Sequence, residues 1–382
     1  MPTEKIKKVV QFLKDFVDDC RRQRTEWLNI RNEITRNYEG MMSEGKLWKG
    51  SSNISTMVTT IVVDLISGKL FPMVWNPELI YWKGTTAHNE EVAENNRIFT
   101  QWFLTKDMDD SVGKVDNITS SFVLDGTVAV KRRWEKTFKY VTRIIPTGIS
   151  DKGEIKYDII YDKIKKERAV WEVKDIEHVF FQWNNLDEGI VEEIFYTLPM
   201  LKEMKEQGLI LNDIDLEKVR AAIEKKYDPE GGIKARLERT GIEAYNSRVE
   251  GTLIKCYEGC IKYDINDDNV REECIFLILP ELDIYLSGKP LHVVSRIGQR
   301  PWNIGSFIPR KNCTLGKGAG ELVRHFHSEL NAIHNQRIDA GNMVIAPFFF
   351  YRAASGFDPM TISVSPSTGI PLDDPQHDIV FP

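Results

Sequence analysis

The stretch "LGKGAGELVRHFHSELNAIHNQRIDAG", residues 315–341, gathers glycines, three histidines, acids and arginines onto what its spacing predicts to be one helix. Residues of these types could cradle a phosphate, hold a metal or activate a nucleophile. Gly316, Gly318 and Gly320 read GxGxG ahead of the helix, whereas a dinucleotide fingerprint needs GxGxxG, and its third glycine falls on Glu321. A P-loop needs Lys and then Ser or Thr after its last glycine, which the sequence lacks, and Glu321 sets a negative charge where a phosphate would bind. The three glycines are read as the turn leading into the helix, where they let chains approach closely.

The histidines fare no better as ligands. His325 and His327 point about 200° apart on a helix that turns about 100° per residue, and a helical zinc pair needs i, i+4 spacing. His334 shares a side with His327 but brings no third ligand. Neither has a Ser or Cys beside it in a nucleophile setting. Elsewhere, Asp264-x-Asn266-x-Asp268 opens like a calcium loop, but position six is Asn269 and position twelve is Ile275, so it is read as an acidic hairpin turn. Cys256 and Cys260 lack a second pair for zinc. Lys131 to Lys136, "KRRWEK", is basic with an aromatic inside and is read as a solvated strand edge. No catalytic residue, cofactor site or metal set is expected, and the chain is not read as an enzyme.

What the helix offers is a division of faces. Leu322, Phe326, Leu330, Ile333 and Val344 form one apolar stripe, expected to be the packing face. Arg324, Ser328, Asn331, Asn335, Asp339 and Asn342 form a polar stripe opposite, small and uncharged in its middle. A solvated helix carries Lys and Glu there. This edge is expected to line a channel or to meet a neighbouring subunit.

The elements that position this helix come in blocks. Apolar spacing predicts one helix over 3–39 closed by a C-cap glycine at Gly40, a second from an N-cap at Asn53 to Leu70, and a third from Asn89 to Asp107. Alternating Val, Ile, Tyr and Trp predict strands in 126–146, 153–164 and 168–183. Charged helices follow over 198–248, and strands resume in "TLIKCYEGCIKYDI", "EECIFLILPELDIYL" and "LHVVSRI". The fold class is α+β. With 42% apolar and 28% charged residues the composition is that of a globular chain. No run is long and apolar enough for a membrane span, and the charged N-terminal stretch is not read as a secretory signal. Five scattered cysteines suit a reducing compartment, so the sequons at Asn53 and Asn117 carry no meaning. A net charge of −6 argues against gripping nucleic acid through its phosphates.

The order of segments carries a resemblance. "RTEWLNIRNEITRNYEG", "LWKGSSNIST", "LDGTVAVKRRW", "CYEGCIKYDINDDN" and "ECIFLILPELDIYL" precede "RPWNIGSFIPRKNCTLGKGAGELVRHFHSELNAIHNQRIDAGNMVIAPFFF". In this order the chain resembles the portal proteins of tailed bacteriophages, the head-to-tail connectors, particularly those of podovirus type. In that family a Gly-x-Gly turn leads into a long helix with Glu and Asn at four-residue steps, ending at a proline; here the matching residues are Glu321, Glu329, Asn331, Asn335, Asp339 and Pro347. The resemblance implies a wing over 1–316, made of a helical part to about 126, a β-rich part over 127–197, charged helices over 198–248 and a second β block over 252–298. It implies a first stem helix over 317–346 and the start of a clip over 347–382. Portal proteins continue with a second stem helix, a tunnel loop and a crown; the sequence closes at "DDPQHDIVFP" before any of these.

The implied protein is a structural subunit of a ring of twelve at one capsid vertex of the virion, assembled in the host cytoplasm. Double-stranded DNA passes through it during packaging and ejection without sequence-specific binding. Its implied partners are further copies of itself, the major capsid protein, the terminase large subunit during packaging and adaptor or tail proteins afterwards, with no membrane and no cofactor. The alternatives are another virion structural protein, such as an adaptor or internal head protein, and a soluble enzyme with a nonstandard site.

Overall fold

The computed structural model describes residues 3–41, 51–211, 214–216, 219, 254–295 and 298–345, apart from 77, 79, 109, 150–154, 266 and 267. The expected clip at 347–382, with Pro347, and most of the charged helical region after Gln207 lie outside the described residues. The class is α+β with antiparallel sheets, as the blocks predict. The chain forms two compact units, one of Met1–Arg24, Ile66–Tyr227 and Val249–Lys317, the other of Thr25–Leu65, Asp228–Arg248 and Gly318–Pro382. The second therefore joins an early segment to the expected stem helix, across the sequence boundary at 316.

The first unit is built on a five-stranded sheet in the order β3 (Val179–Gln182), β4 (Asn185–Tyr196), β5 (Ile254–Tyr263), β6 (Glu272–Leu279), β7 (Ile284–Pro290). Helix α1 (Thr3–Gln23) lays Val9, Val10, Leu13, Phe16, Val17 and Cys20 on one face of it, against Phe180, Val191, Tyr257, Phe276 and Ile278. These apolar positions recur at three- and four-residue steps, so one stripe of the helix is removed from water. The other face is covered through Leu201 of α6 (Leu198–Glu206), which packs with Ile254, Cys256, Leu277, Leu279 and Leu286. The sequence predicts one helix over 3–39, but it breaks at Arg24. There the buried guanidinium donates to the carbonyls of Ile176 (3.0 Å), Val179 (2.8 Å) and Glu177, and lies over the Phe180 ring.

Two more corrections follow from tertiary context. The strand expected over 168–183 divides into the end of β2 (Ile155–Lys174), a single 3-10 turn and β3. "LHVVSRI" holds a helical turn, Leu291–Val294, instead of a strand, because β7 ends on Pro290, which lacks an N–H for the ladder. The Asp264 turn is as expected: its carboxylate accepts from the Asp268 and Asn269 amides, and it links the paired strands β5 and β6.

A second sheet, in the order β2, β1 (Thr127–Ile149), β8 (Trp302–Ser306), carries the longest strands. β8 pairs with β1 only from Thr127 to Lys131, whereas β1 and β2 continue as a two-stranded ribbon to Ile149 and Ile155. Helices α4 (Ala87–Trp102) and α5 (Ser111–Asp125) precede it, α4 running through a π-turn to Asp107 as the sequence predicts.

The second unit holds α2 (Thr25–Tyr38), residues 51–57, the beginning of α3 (Val58–Val74) and α7 (Ala319–Ile345). α2 closes at Gly40 as expected. Gly40 takes φ +70°, its N–H reaches the Asn37 carbonyl, and the Met41 N–H reaches the Arg36 carbonyl, the paired bonds of a Schellman cap.

Candidate functional site

Helix α7 fills the range predicted for the stem helix, but its faces are reversed. The polar side is the buried one: His327, Asn331 and Asp339 are buried and Asn335 half-buried. Each contacts the segment leading into α3 or its first turn. Asp339 Oδ1 accepts from the Ser52 amide (2.8 Å), and Asn335 accepts from the Ile54 amide (2.9 Å) and donates to its carbonyl (3.1 Å). Asn331 Oδ1 accepts from the Thr56 amide and hydroxyl (2.8 and 2.7 Å). His327 Nδ1 meets the Thr59 amide and hydroxyl at 3.4 and 3.1 Å.

The match is one of pitch. Four helical residues advance about 6 Å, and two residues of extended chain advance about 6.7 Å. A helix with short polar side chains at 331, 335 and 339 can therefore read every second residue of an extended strap running antiparallel to it. This overturns the helix expected to start at Asn53. α3 begins at Val58 because the strap's amides already have side-chain acceptors on α7, stronger competition than a local N-cap. It also corrects the polar stripe, since Asn331, Asn335 and Asp339 hold the protein's own chain. Arg324 is paired with Glu33 of α2 at 3.3 Å, Ser328 is exposed with its hydroxyl on the Arg324 carbonyl, and Asn342 is exposed.

The apolar stripe faces the other way. Leu322 is 51% exposed, Phe326 64%, Leu330 43%, Ile333 53% and Val344 82%. Ile54, Met57, Ile61 and Leu65 of the same unit are exposed as well. Among the described residues, the expected packing face is left largely to water. Covering a large apolar side chain is worth about 1.5–3 kcal/mol from full exposure; at half exposure, roughly 1 kcal/mol remains to be gained at each position.

The three glycines separate. Gly316 lies in strand β9 (Cys313–Lys317), and its N–H donates to the Thr127 hydroxyl at 2.8 Å. A Cβ there would stand 2.3 Å from the Gly126 carbonyl oxygen, so close approach is its role. Gly318 accepts the first helical bond, from Leu322, and Gly320 is buried in the first turn.

A second cluster, unforeseen in the sequence, lies in the first unit. Lys131, expected at a solvated edge, is buried and pairs with Glu192 and Glu258, both at 2.9 Å, with its ammonium 4.7 Å from the Trp302 ring centre. Glu192 also takes Lys174 at 2.7 Å and the Trp302 indole N–H at 2.9 Å. Burial alone would raise the Glu192 carboxyl, but the Lys131 and Lys174 charges hold it below the usual carboxylate range. With both Glu192 oxygens engaged, the cluster fastens the two sheets. Glu193 points to the opposite side of β4. Burial would raise it too, but bonds from His178 and Lys255 and the Arg21 charge bring it down to about 2.

Burial pushes the thiols of Cys20, Cys256 and Cys260 up to about 12 and that of Cys274 to about 11, which keeps them protonated and poor as ligands or nucleophiles. Among the described residues no three His, Cys, Asp or Glu side chains gather as a metal set, and no helix is long and apolar enough to cross a membrane. No protein-family model matches the sequence, and no curated protein matches it. The candidate functional site is a surface, the exposed apolar edge of α7.

Proposed function

We propose that the chain is a structural subunit of a phage portal ring, with α7 as the stem helix whose apolar edge is covered by neighbouring copies. The observation that carries this reading is the reversed helix. α7 spends its polar side on its own strap and leaves Leu322, Phe326, Leu330, Ile333 and Val344 to water. A long helix that exposes its apolar side in one copy is completed by another. The order of segments supports the same reading, and the net charge of −6 suits a conduit along which DNA phosphates slide without being held. In this function the chain performs no catalysis. The motor that consumes ATP is the terminase, and the ring supplies the passage and the docking surface for terminase and then for adaptor or tail proteins.

Electron microscopy of the purified chain tests this. The expected particles are closed rings of about twelve copies, as a heterologous interface that closes on itself requires. A monodisperse single chain at all concentrations contradicts it. A position in the capsid away from the packaging vertex favours another virion structural protein instead.

A further inference from the structure

The ribbon formed by β1 and β2 presents a second exposed surface among the described residues. Beyond Lys131, the last residue paired to β8, it runs eighteen residues to Ile149, roughly 60 Å at about 3.3 Å per residue. A two-stranded ribbon cannot bury its own faces, and alone it is marginal in water. Yet its outer half exposes isoleucines on both sides, interleaved on one of them with Arg143 and Asp162. Ile144 and Ile159 stand directly opposite one another, and Tyr161, opposite Thr142, shares their face; they are 64, 56 and 68% exposed. Ile145 and Ile160 fall on the other face by strand alternation and are exposed too. Arg143, beside them, is spent on Asp162 at 2.8 Å.

The charge of the ribbon is opposite to that of the protein. By sequence, 132–149 and 155–171 hold ten lysines and arginines against four acids, so the ribbon is +6 and the other residues are −12 in a chain of −6. A flat partner such as a duplex or a membrane surface covers one face of a ribbon; isoleucines exposed on both faces need a slot. We infer that this ribbon is an arm that inserts into the acidic body of the adjacent copy, clasped on both faces by it. The inference rests on the ring reading and adds the element that ties one subunit to the next. Charge steers the arm to its seat, and the isoleucines and Tyr161 hold it there.

Photo-crosslinking in the full chain tests the arm directly. Benzoylphenylalanine replacing Tyr161 is expected to yield covalent dimers and higher multiples in the assembled fraction, and none in chain dispersed by dilution. A second chain, in which an Asn-Gly turn replaces 137–166, joins the paired residues Lys136 and Glu167 and keeps β1, β2 and β8 paired at the base. It is expected to fold with unchanged circular dichroism elsewhere and to form at least tenfold fewer rings by mass photometry. Ile144→Asp combined with Ile160→Asp is expected to lose rings as the shortened chain does. If the wild-type chain never assembles, the ring reading falls and the arm with it. If rings form and the shortened chain forms them equally, or Tyr161 crosslinks only within its own chain, the arm inference alone is overturned. Arm-dependent binding to duplex DNA or to phosphatidylserine vesicles, without crosslinks between copies, overturns it as well.

Discussion

The side chains that govern the second unit are small and polar. Asn331 accepts two bonds from Thr56, and removing it leaves a backbone N–H without its acceptor. Asn331→Ala is expected to cost about 1–2 kcal/mol and to speed hydrogen exchange at the Thr56 amide, whereas Asn342→Ala, at an exposed position, should stay within about 0.5 kcal/mol. Unchanged exchange at Thr56 would mean that the ladder does not hold the strap. His327 adds a dependence on pH. It is buried, and burial lowers its pKa below the ordinary 6.5, so the unfolded chain binds the proton more readily than the folded one. Stability from this residue is complete above 6.5 and falls as pH drops from 6.5 toward the depressed value. His327→Gln should flatten that part of the profile relative to wild type in urea titrations run from neutral pH downward. An unaltered slope would contradict the assignment.

At the scale of elements, the structure separates what pattern alone can deliver from what depends on partners. The range of α7, the cap at Gly40 and the Asp264 turn were legible because each rests on local chemistry: periodicity, a positive φ, an Asx side chain bonding amides a few residues on. The orientation of α7 was not, because periodicity finds two faces and does not say which one the protein's own chain covers. The signal was present in the four-residue spacing of Asn331, Asn335 and Asp339, short acceptors matched to alternate residues of "SSNIST", with His327 one step further on reaching Thr59. The burial of Lys131 is hidden for a related reason: its acids, Glu192 and Glu258, are remote in sequence. The α1–α2 break at Arg24 likewise depends on carbonyls some 150 residues away. Two glycines test the element geometry. Gly316→Ala forces a methyl against the Gly126 carbonyl and should cost about 1–3 kcal/mol. Gly341→Ala, in α7 with nothing within 4 Å of the added carbon, should stabilise the chain by about 0.5–1 kcal/mol. Thermal unfolding of the two variants in parallel checks both signs.

At the scale of the whole molecule, the proposed ring rests on two exposed apolar surfaces, one on α7 and one on the β ribbon. In that proposal the first is covered by the neighbouring copy, and the second reaches into it. An apolar edge this long on a lone chain invites aggregation unless symmetry closes over it. The most direct measurement is the maleimide reactivity of Leu330→Cys, followed by mass spectrometry in assembled and in dispersed protein. Cys20, Cys256, Cys260 and Cys274 are buried, so background labelling is confined to half-buried Cys313 and is set by the wild-type chain. The expected result is rapid labelling of the introduced thiol in dispersed chain and at least tenfold slower labelling once particles form. Equal rates in the two fractions would contradict the claim that neighbouring copies cover the apolar edge of α7.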